Sequence, residues 1–155
     1  MIIFAADLHL CKRVWRARRD LDRDSFRALA AFQSCILDLN KDEPVHVILG
    51  GDTFDKNEVR GAALQAFAEF VDTLYDAGVP VYVIQGNHDL DPDVSIAEVQ
   101  GAMSLDKLPA TIDGRRVYGL DWRTREEIQE ELKQIPSDID VLVLHGMMEH
   151  LMSFE

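Results

Sequence analysis

Short apolar runs recur along the chain and are separated by longer segments of mixed polarity. Four of these runs are rich in β-branched residues and leucine, a composition that suits buried β-strands. They lie at residues 1–6, 45–49, 79–84 and 140–145. The sequence therefore predicts four strands that are well separated along the chain.

Helices are predicted between these strands. Apolar residues recur at helical spacing over 25–39, and a second helix is indicated in the next gap by the spacing of Leu64, Phe67, Val71 and Leu74. The stretch TIDGRRVYGL is typical of a hairpin that turns at Asp113 and Gly114. Thr124 is the predicted N-cap of a third helix. Alternating strands and helices predict an α/β fold with a largely parallel first sheet, as a single domain over residues 1–155.

Composition excludes several classes of protein. The two cysteines, Cys11 and Cys35, have no CxxC spacing, which argues against a disulfide scaffold and a cysteine zinc site. The N-terminal stretch MIIFAADLHL has no basic region and is interrupted by Asp7, unlike a signal peptide. No apolar run approaches the roughly 20 residues that span a bilayer. We therefore expect a cytoplasmic protein with no membrane partner.

Charge is distributed unevenly along the chain. The net charge is −12, which argues against a general polyanion-binding protein. Residues 11–27, however, contain seven basic and three acidic residues, a local charge of +4. Such a segment is either a solvated helix face or a place where a polyanion approaches.

Polar residues that can bind metal ions follow each predicted strand. They are Asp7 and His9 after the first strand, Asp52 and Asp55 after the second, Asn87 and His88 after the third, and His145 after the fourth. In open α/β sheets, sites form where the carboxyl ends of strands meet, so these side chains should converge. Two residues apart on an extended segment, Asp7 and His9 should point to the same side.

The order D-x-H, G-D-x-x-D, G-N-H-D and a final histidine resembles the calcineurin-like metallophosphoesterases. Within that superfamily, the stretches DLHL, GGDTFD, PVYVIQGNHD and VYGLDWR are most similar to the SbcD-type DNA repair nucleases. The resemblance covers nearly the whole chain. It implies a sandwich of mixed sheets flanked by helices, incomplete at the C-terminus and without the family's DNA-contacting cap domain.

The resemblance also implies two divalent metal ions. Asp7 and His9 would bind the first ion, Asn87 and His145 the second, and Asp52 would bridge both. Mixed oxygen and nitrogen ligands favour Mn²⁺, with Mg²⁺, Fe and Zn²⁺ as alternatives. Two such ions can activate a hydroxide for in-line attack on a phosphodiester.

Catalytic roles are implied for His88 and Asp55. His88 would face the phosphate and stabilise its charge or protonate the leaving oxygen. Asp55 would orient His88, and a simple turn carboxylate is the alternative interpretation. For Asp89 we expect a role in a turn or a helix cap rather than in catalysis.

The basic segment follows directly after the first polar cluster, where it would contact a DNA backbone near the metal ions. The basic residues concerned are Lys12, Arg13, Arg16, Arg18, Arg19 and Arg23. Trp15 would stack on an unpaired base.

The family's fifth motif, G-H-x-H, is not found in the sequence, and three hypotheses stay open. The chain is a truncated or split-gene product completed by a second polypeptide, a degenerate module that binds nucleic acid without cutting, or a phosphatase acting on small or protein phosphates. We favour the first, because the four other motifs are intact. It predicts an SbcD-like exonuclease or endonuclease of DNA repair and recombination, with weak Mn²⁺ binding and little activity alone. Resemblance further implies an SMC-like ATPase partner and a homodimer.

Overall fold

The secondary structure follows the predicted alternation. The computed structural model describes residues 1–10, 21–55 and 61–146, with the side chains of the first helix described from Ser25 onward. The elements are β1 (Ile2–Ala5), α1 (Leu21–Leu39), β2 (His46–Gly50), α2 (Ala62–Asp76), β3 (Val81–Ile84), a short 3-10 helix (Ile96–Glu98), β4 (Ala102–Ser104), β5 (Ala110–Ile112), β6 (Arg115–Leu120), α3 (Arg125–Leu132) and β7 (Val141–Leu144). The predicted strands and helices are confirmed, while β4 and the 3-10 helix were not predicted.

The strands form two sheets. The first has the order β1-β2-β3-β4, with parallel pairing throughout. The second has the order β5-β6-β7, in which β5 and β6 are antiparallel and β6 and β7 are parallel. Asp113 and Gly114 join β5 to β6 with φ angles of 48° and 74°, as the predicted tight hairpin requires. The α/β class and the parallel first sheet are thus confirmed.

The two faces of the first sheet pack against different partners. Along β2, Val47 points to one face and lies in a core with Phe67 of α2. Ile48, the next residue, points to the other face and packs with Val143 of the second sheet. The layers are therefore helices α1 and α2, the first sheet and the second sheet. Parallel pairing brings the carboxyl ends of β1, β2 and β3 to one edge.

The helices differ in how far they are buried. Helix α2 buries apolar side chains along one face, whereas α3 has no buried residue. Helix α3 begins at the predicted N-cap, where the Thr124 hydroxyl accepts from the Glu127 N–H and the Glu127 carboxylate accepts from the Thr124 N–H. Among the described residues, no helix is long and apolar enough to cross a membrane.

Candidate metal centre

Predicted ligands from the first two strand ends lie together. One ligand atom from each of Asp7, His9 and Asp52 lies within 4.8 Å of the other two. The His9 Nε2 atom lies 3.6 Å from Asp7 Oδ1. Asp52 is buried, whereas the Asp7 side chain is largely exposed. The three residues form a small acidic cluster that is open to solvent on the Asp7 side.

The backbone brings these side chains together through an unusual conformation. Asp7, His9 and Asp52 all have positive φ angles, of 55°, 45° and 51°. Residues other than glycine rarely adopt this region, and such strain is concentrated at functional sites. Hydrogen bonds from Asp7 N to Gly51 O (3.0 Å) and from His9 N to Asp52 O (3.1 Å) hold the two loops together. Left-handed turns, rather than the extended segment we expected, therefore make Asp7 and His9 converge.

His145 reaches the same site from the second sheet. Its Nδ1 atom lies 3.0 Å from the Gly50 carbonyl oxygen, so Nδ1 carries the proton and donates it to that carbonyl. The other ring nitrogen, Nε2, lies 3.4 Å from Asp52 Oδ1. A histidine oriented in this way could bind a metal ion through Nε2.

The loop after β3 packs tightly against Asp52. The His88 N–H donates to Asp52 Oδ1 at 3.0 Å. A Cβ atom on Gly86 would lie 2.1 Å from Asp52 Oδ1, so this position requires glycine. Asn87, the predicted amide ligand, lies between these two residues and is half-buried. Asp52 is therefore the point at which the loops after β1, β2, β3 and β7 meet.

The His88 ring is held by the main chain. Its Nδ1 atom donates to the Asp55 carbonyl oxygen at 2.6 Å, which leaves Nε2 free. The ring also packs edge-to-face against His9, with ring centroids 5.4 Å apart. We expected the Asp55 side chain to orient His88, but the group of Asp55 that contacts the ring is the carbonyl.

The donor set lacks a permanent positive charge. Within the described part of the chain, the ion-pair partners of Asp7 and Asp52 are His9 and His145 rather than lysine or arginine. The His9 Nδ1 atom is buried and finds no hydrogen-bond partner there. Two carboxylates together with imidazole nitrogens are a donor set for a divalent cation, so these residues fit a metal ion.

Comparison with known proteins agrees with this geometry. The sequence model of the calcineurin-like phosphoesterase family matches residues 1–155. The chain belongs to the calcineurin-like phosphoesterase family.

Two relatives are DNA double-strand break repair proteins Mre11. The protein from Nanoarchaeum equitans is 35% identical over 89 residues, which are 57% of this chain and 24% of the relative. The protein from Aeropyrum pernix is 32% identical over 115 residues, 73% of this chain and 25% of the relative. The chain thus spans about a quarter of the length of these relatives.

In this family member, Asp89 has a larger role than the turn or cap we expected. Its side chain is fully buried and accepts backbone N–H groups from Thr53 (3.2 Å), Phe54 (2.9 Å) and Gly86 (2.9 Å). Burial raises the pKa of Asp89, while the hydrogen bonds from Gly86, Phe54 and Thr53 act in the opposite direction. Only the bond to Gly86 belongs to a local turn. The other two tie the loop after β3 to the loop that carries Asp52.

Sequence reasoning also missed Asp121 and Trp122. Both follow β6 directly, so the rule that singled out the other strand ends would have found them.

The structure does not describe the predicted DNA-binding side chains. Lys12, Arg13, Trp15, Arg16, Arg18, Arg19 and the side chain of Arg23 lie outside the described residues.

Proposed function

We propose that this chain carries a metal centre for two divalent ions, and that it hydrolyses phosphodiester bonds of DNA. The observation that supports this most directly is the position of Asp52. Its carboxylate lies within 4.8 Å of ligand atoms of Asp7 and His9, and its Oδ1 lies 3.4 Å from His145 Nε2. A carboxylate between two groups of ligands is suited to bridge two ions.

The ligands would divide into two groups. Asp7 and His9 would hold the first ion, Asn87 and His145 the second, and Asp52 both. When bound, divalent ions supply positive charge that neutralises the phosphoryl oxygens and makes water more acidic. Mixed carboxylate, amide and imidazole ligands favour Mn²⁺.

His88 would act on the leaving group. Because its Nδ1–H is bound to the Asp55 carbonyl, its Nε2 atom is free for a proton exchanged with the substrate. Once protonated, Nε2 would donate to the leaving oxygen, or to a phosphate oxygen that gains charge in the transition state.

DNA is the substrate favoured by the relatives and by the charge pattern. Both relatives are DNA double-strand break repair proteins. The segment at 11–27 has a local charge of +4 in a chain of −12, and it follows the loop that carries Asp7 and His9. A basic segment next to an acidic metal centre would draw a polyanion to it.

Relative hydrolysis rates test the proposed function. The chain, alone and joined to a segment carrying G-H-x-H, is incubated with Mn²⁺ and linear DNA, an aryl phosphodiester or an aryl phosphomonoester. We expect little activity from the chain alone. In the joined form we expect Mn²⁺-dependent cleavage of DNA and of the diester, and slower reaction of the monoester. A preference for the monoester in both forms would instead favour a phosphatase. His88→Gln measured in parallel excludes a contaminating nuclease.

The contact to His88 predicts different effects for two neighbouring changes. His88→Gln removes the proton donor and should lower kcat for DNA hydrolysis by roughly a hundredfold or more. Asp55→Ala keeps the carbonyl that binds the ring and should change kcat by less than about fivefold. Steady-state kinetics on both variants measures the difference. Equal losses would show that the Asp55 carboxylate itself takes part.

Salt dependence tests the basic segment. Replacing Arg16, Arg18 and Arg19 with Ala should weaken DNA binding and reduce the slope of log K against log salt, by about one phosphate contact for each arginine. Fluorescence anisotropy over a salt series measures this slope. Hydrolysis of the aryl phosphodiester, which is too small to reach the segment, should stay within about twofold. An unchanged slope would contradict DNA contact by these arginines.

A further inference from the structure

The residue before the G-N-H-D motif is held by the loop after β6. The Gln85 N–H donates to Asp121 Oδ1 at 2.7 Å, and the Gln85 side-chain amide donates to Asp121 Oδ2 at 3.0 Å. The Gln85 carbonyl accepts from the Trp122 N–H at 2.7 Å. Two consecutive residues of the loop after β6 thus engage both main-chain groups and the side chain of Gln85. This fixes the start of the loop that carries Asn87.

The same loop touches His145. The Trp122 and His145 rings lie edge to face, with centroids 6.1 Å apart and planes inclined by 64°. The Trp122 ring therefore restricts rotation of the imidazole whose Nδ1 donates to Gly50 and whose Nε2 faces Asp52. Asn87 and His145 lie on different sheets, and Asp121 and Trp122 connect to both of them.

The Asp121–Trp122 pair is itself braced. Arg123 donates two hydrogen bonds to Asp106, of 2.8 and 2.7 Å, and the Asp121 N–H donates to Asp106 Oδ1 at 2.9 Å. Burial raises the pKa of Asp106, but the hydrogen bonds from Arg123 and Asp121, together with the positive charges of Arg123 and Lys107, lower it, and the net pKa is lowered. The ionised Asp106 carboxylate thus anchors the loop after β6, so Asp121 and Trp122 are rigidly placed.

We propose that Asp121 and Trp122 are positioning residues for the second metal ion, acting on Asn87 through Gln85 and on His145 through ring contact. This rests on the proposed function, because it assumes that these two ligands share an ion with Asp52. We further predict that the two ions differ in how strongly their binding depends on the loop after β6. The first ion, bound by Asp7 and His9, should be insensitive to the loop after β6.

Calorimetric Mn²⁺ titration of the full chain tests the asymmetry with Asp121→Ala and Trp122→Leu. We expect the second binding step to weaken by about tenfold or more and the first to change by less than about twofold, since outer-shell partners typically account for 10–100-fold in affinity. Equal weakening of both steps, or none, would overturn the proposal.

Matched variants separate positioning from charge and from general destabilisation. Asp121→Asn keeps an oxygen for the Gln85 N–H, and the Gln85 amide can turn to accept from the new side chain, so Mn²⁺ binding should be close to wild type. Trp122→Phe keeps an aromatic edge and should recover most of the affinity lost in Trp122→Leu. Asp140→Ala removes a carboxylate that accepts the Arg116 N–H at 2.7 Å at the other end of β6, and should leave both steps unchanged.

A metal-free measurement distinguishes failure of this proposal from failure of the proposed function. ¹⁵N NMR of the imidazoles reports which nitrogen of His145 carries the proton. We expect mainly the Nδ1–H form in the wild type and a shift towards Nε2–H in Asp121→Ala and Trp122→Leu, with His46 unchanged as reference. If the wild type binds fewer than two ions, the dinuclear site is wrong. If the His145 tautomer is unaffected by both changes, the positioning role is wrong.

Discussion

Asp52→Asn should weaken Mn²⁺ binding more than any other single substitution in the site. Asp52 contacts both predicted groups of ligands, so neutralising it removes a negative charge from both. The asparagine oxygen can still accept the His88 N–H that Asp52 Oδ1 accepts at 3.0 Å, so the loops should keep their shape. We expect affinity for both ions to fall by more than about a hundredfold, exceeding the effect of outer-shell changes. Calorimetric titration measures this loss.

Asp7→Asn is the matched control for Asp52→Asn. Asp7 is largely exposed, and its histidine neighbour is His9. Neutralising Asp7 should therefore weaken mainly the binding of the first ion. Thermal unfolding with and without Mn²⁺ adds an independent measure, because a ligand that binds the folded state stabilises it and raises Tm. Wild type should be stabilised by Mn²⁺, and Asp52→Asn should not. A Mn²⁺ response in Asp52→Asn equal to that of Asp7→Asn would contradict the bridging role.

Asp89→Ala should cause the largest loss of folding stability among the residues around the site. It would leave three backbone N–H groups, from Thr53, Phe54 and Gly86, without their acceptor in a region where Asp89 is fully buried. An unsatisfied buried donor typically costs 1–3 kcal/mol, so we expect a loss of about 4 kcal/mol in the free energy of unfolding. Urea denaturation measures this free energy.

Two variants bracket the effect of Asp89→Ala. Asp89→Asn retains one oxygen, which can accept the two N–H groups now bound to Oδ2, so its loss should be about half as large. Asp93→Ala removes an exposed carboxylate four residues away and should change stability by less than about 0.5 kcal/mol. Similar stability of Asp89→Ala and Asp93→Ala would show that the three hydrogen bonds contribute little.

These predictions separate two carboxylates that look alike in sequence. Asp52 and Asp89 both follow predicted strands beside glycine-containing motifs, and both are buried. Asp89 accepts three N–H groups, and it supports the loops without being needed as a ligand. Among the described residues, Asp52 accepts one N–H group and faces Asp7, His9 and His145, so oxygen lone pairs are left over that a cation could use. Asp89 thus holds the loops in place, and Asp52 is the carboxylate proposed to bind metal.

The sequence by itself determined the class of fold and the membership of a family. Apolar runs and helical spacing depend on neighbours a few residues apart, and these local patterns were enough to place β1, β2, β3, β7 and the helices. Polar residues at successive strand ends then predicted where the site lies, because parallel pairing brings those ends to one edge. Strand β4 was missed because such patterns need a longer run of residues. The three residues AMS are too short a run to show any periodicity.

Only the tertiary structure decided how each polar residue is used. The hydrogen-bond partners of Asp52, Asp89 and Asp121 include groups 35 or 36 residues away along the chain. His145 bonds to the carbonyl of Gly50, 95 residues away. Such partners are set by the packing of the two sheets and leave no local pattern. The left-handed turns at Asp7, His9 and Asp52 also depend on hydrogen bonds between separate loops, because an isolated chain would relax out of them. Local chemistry therefore selected the candidate residues, and long-range packing assigned their contacts.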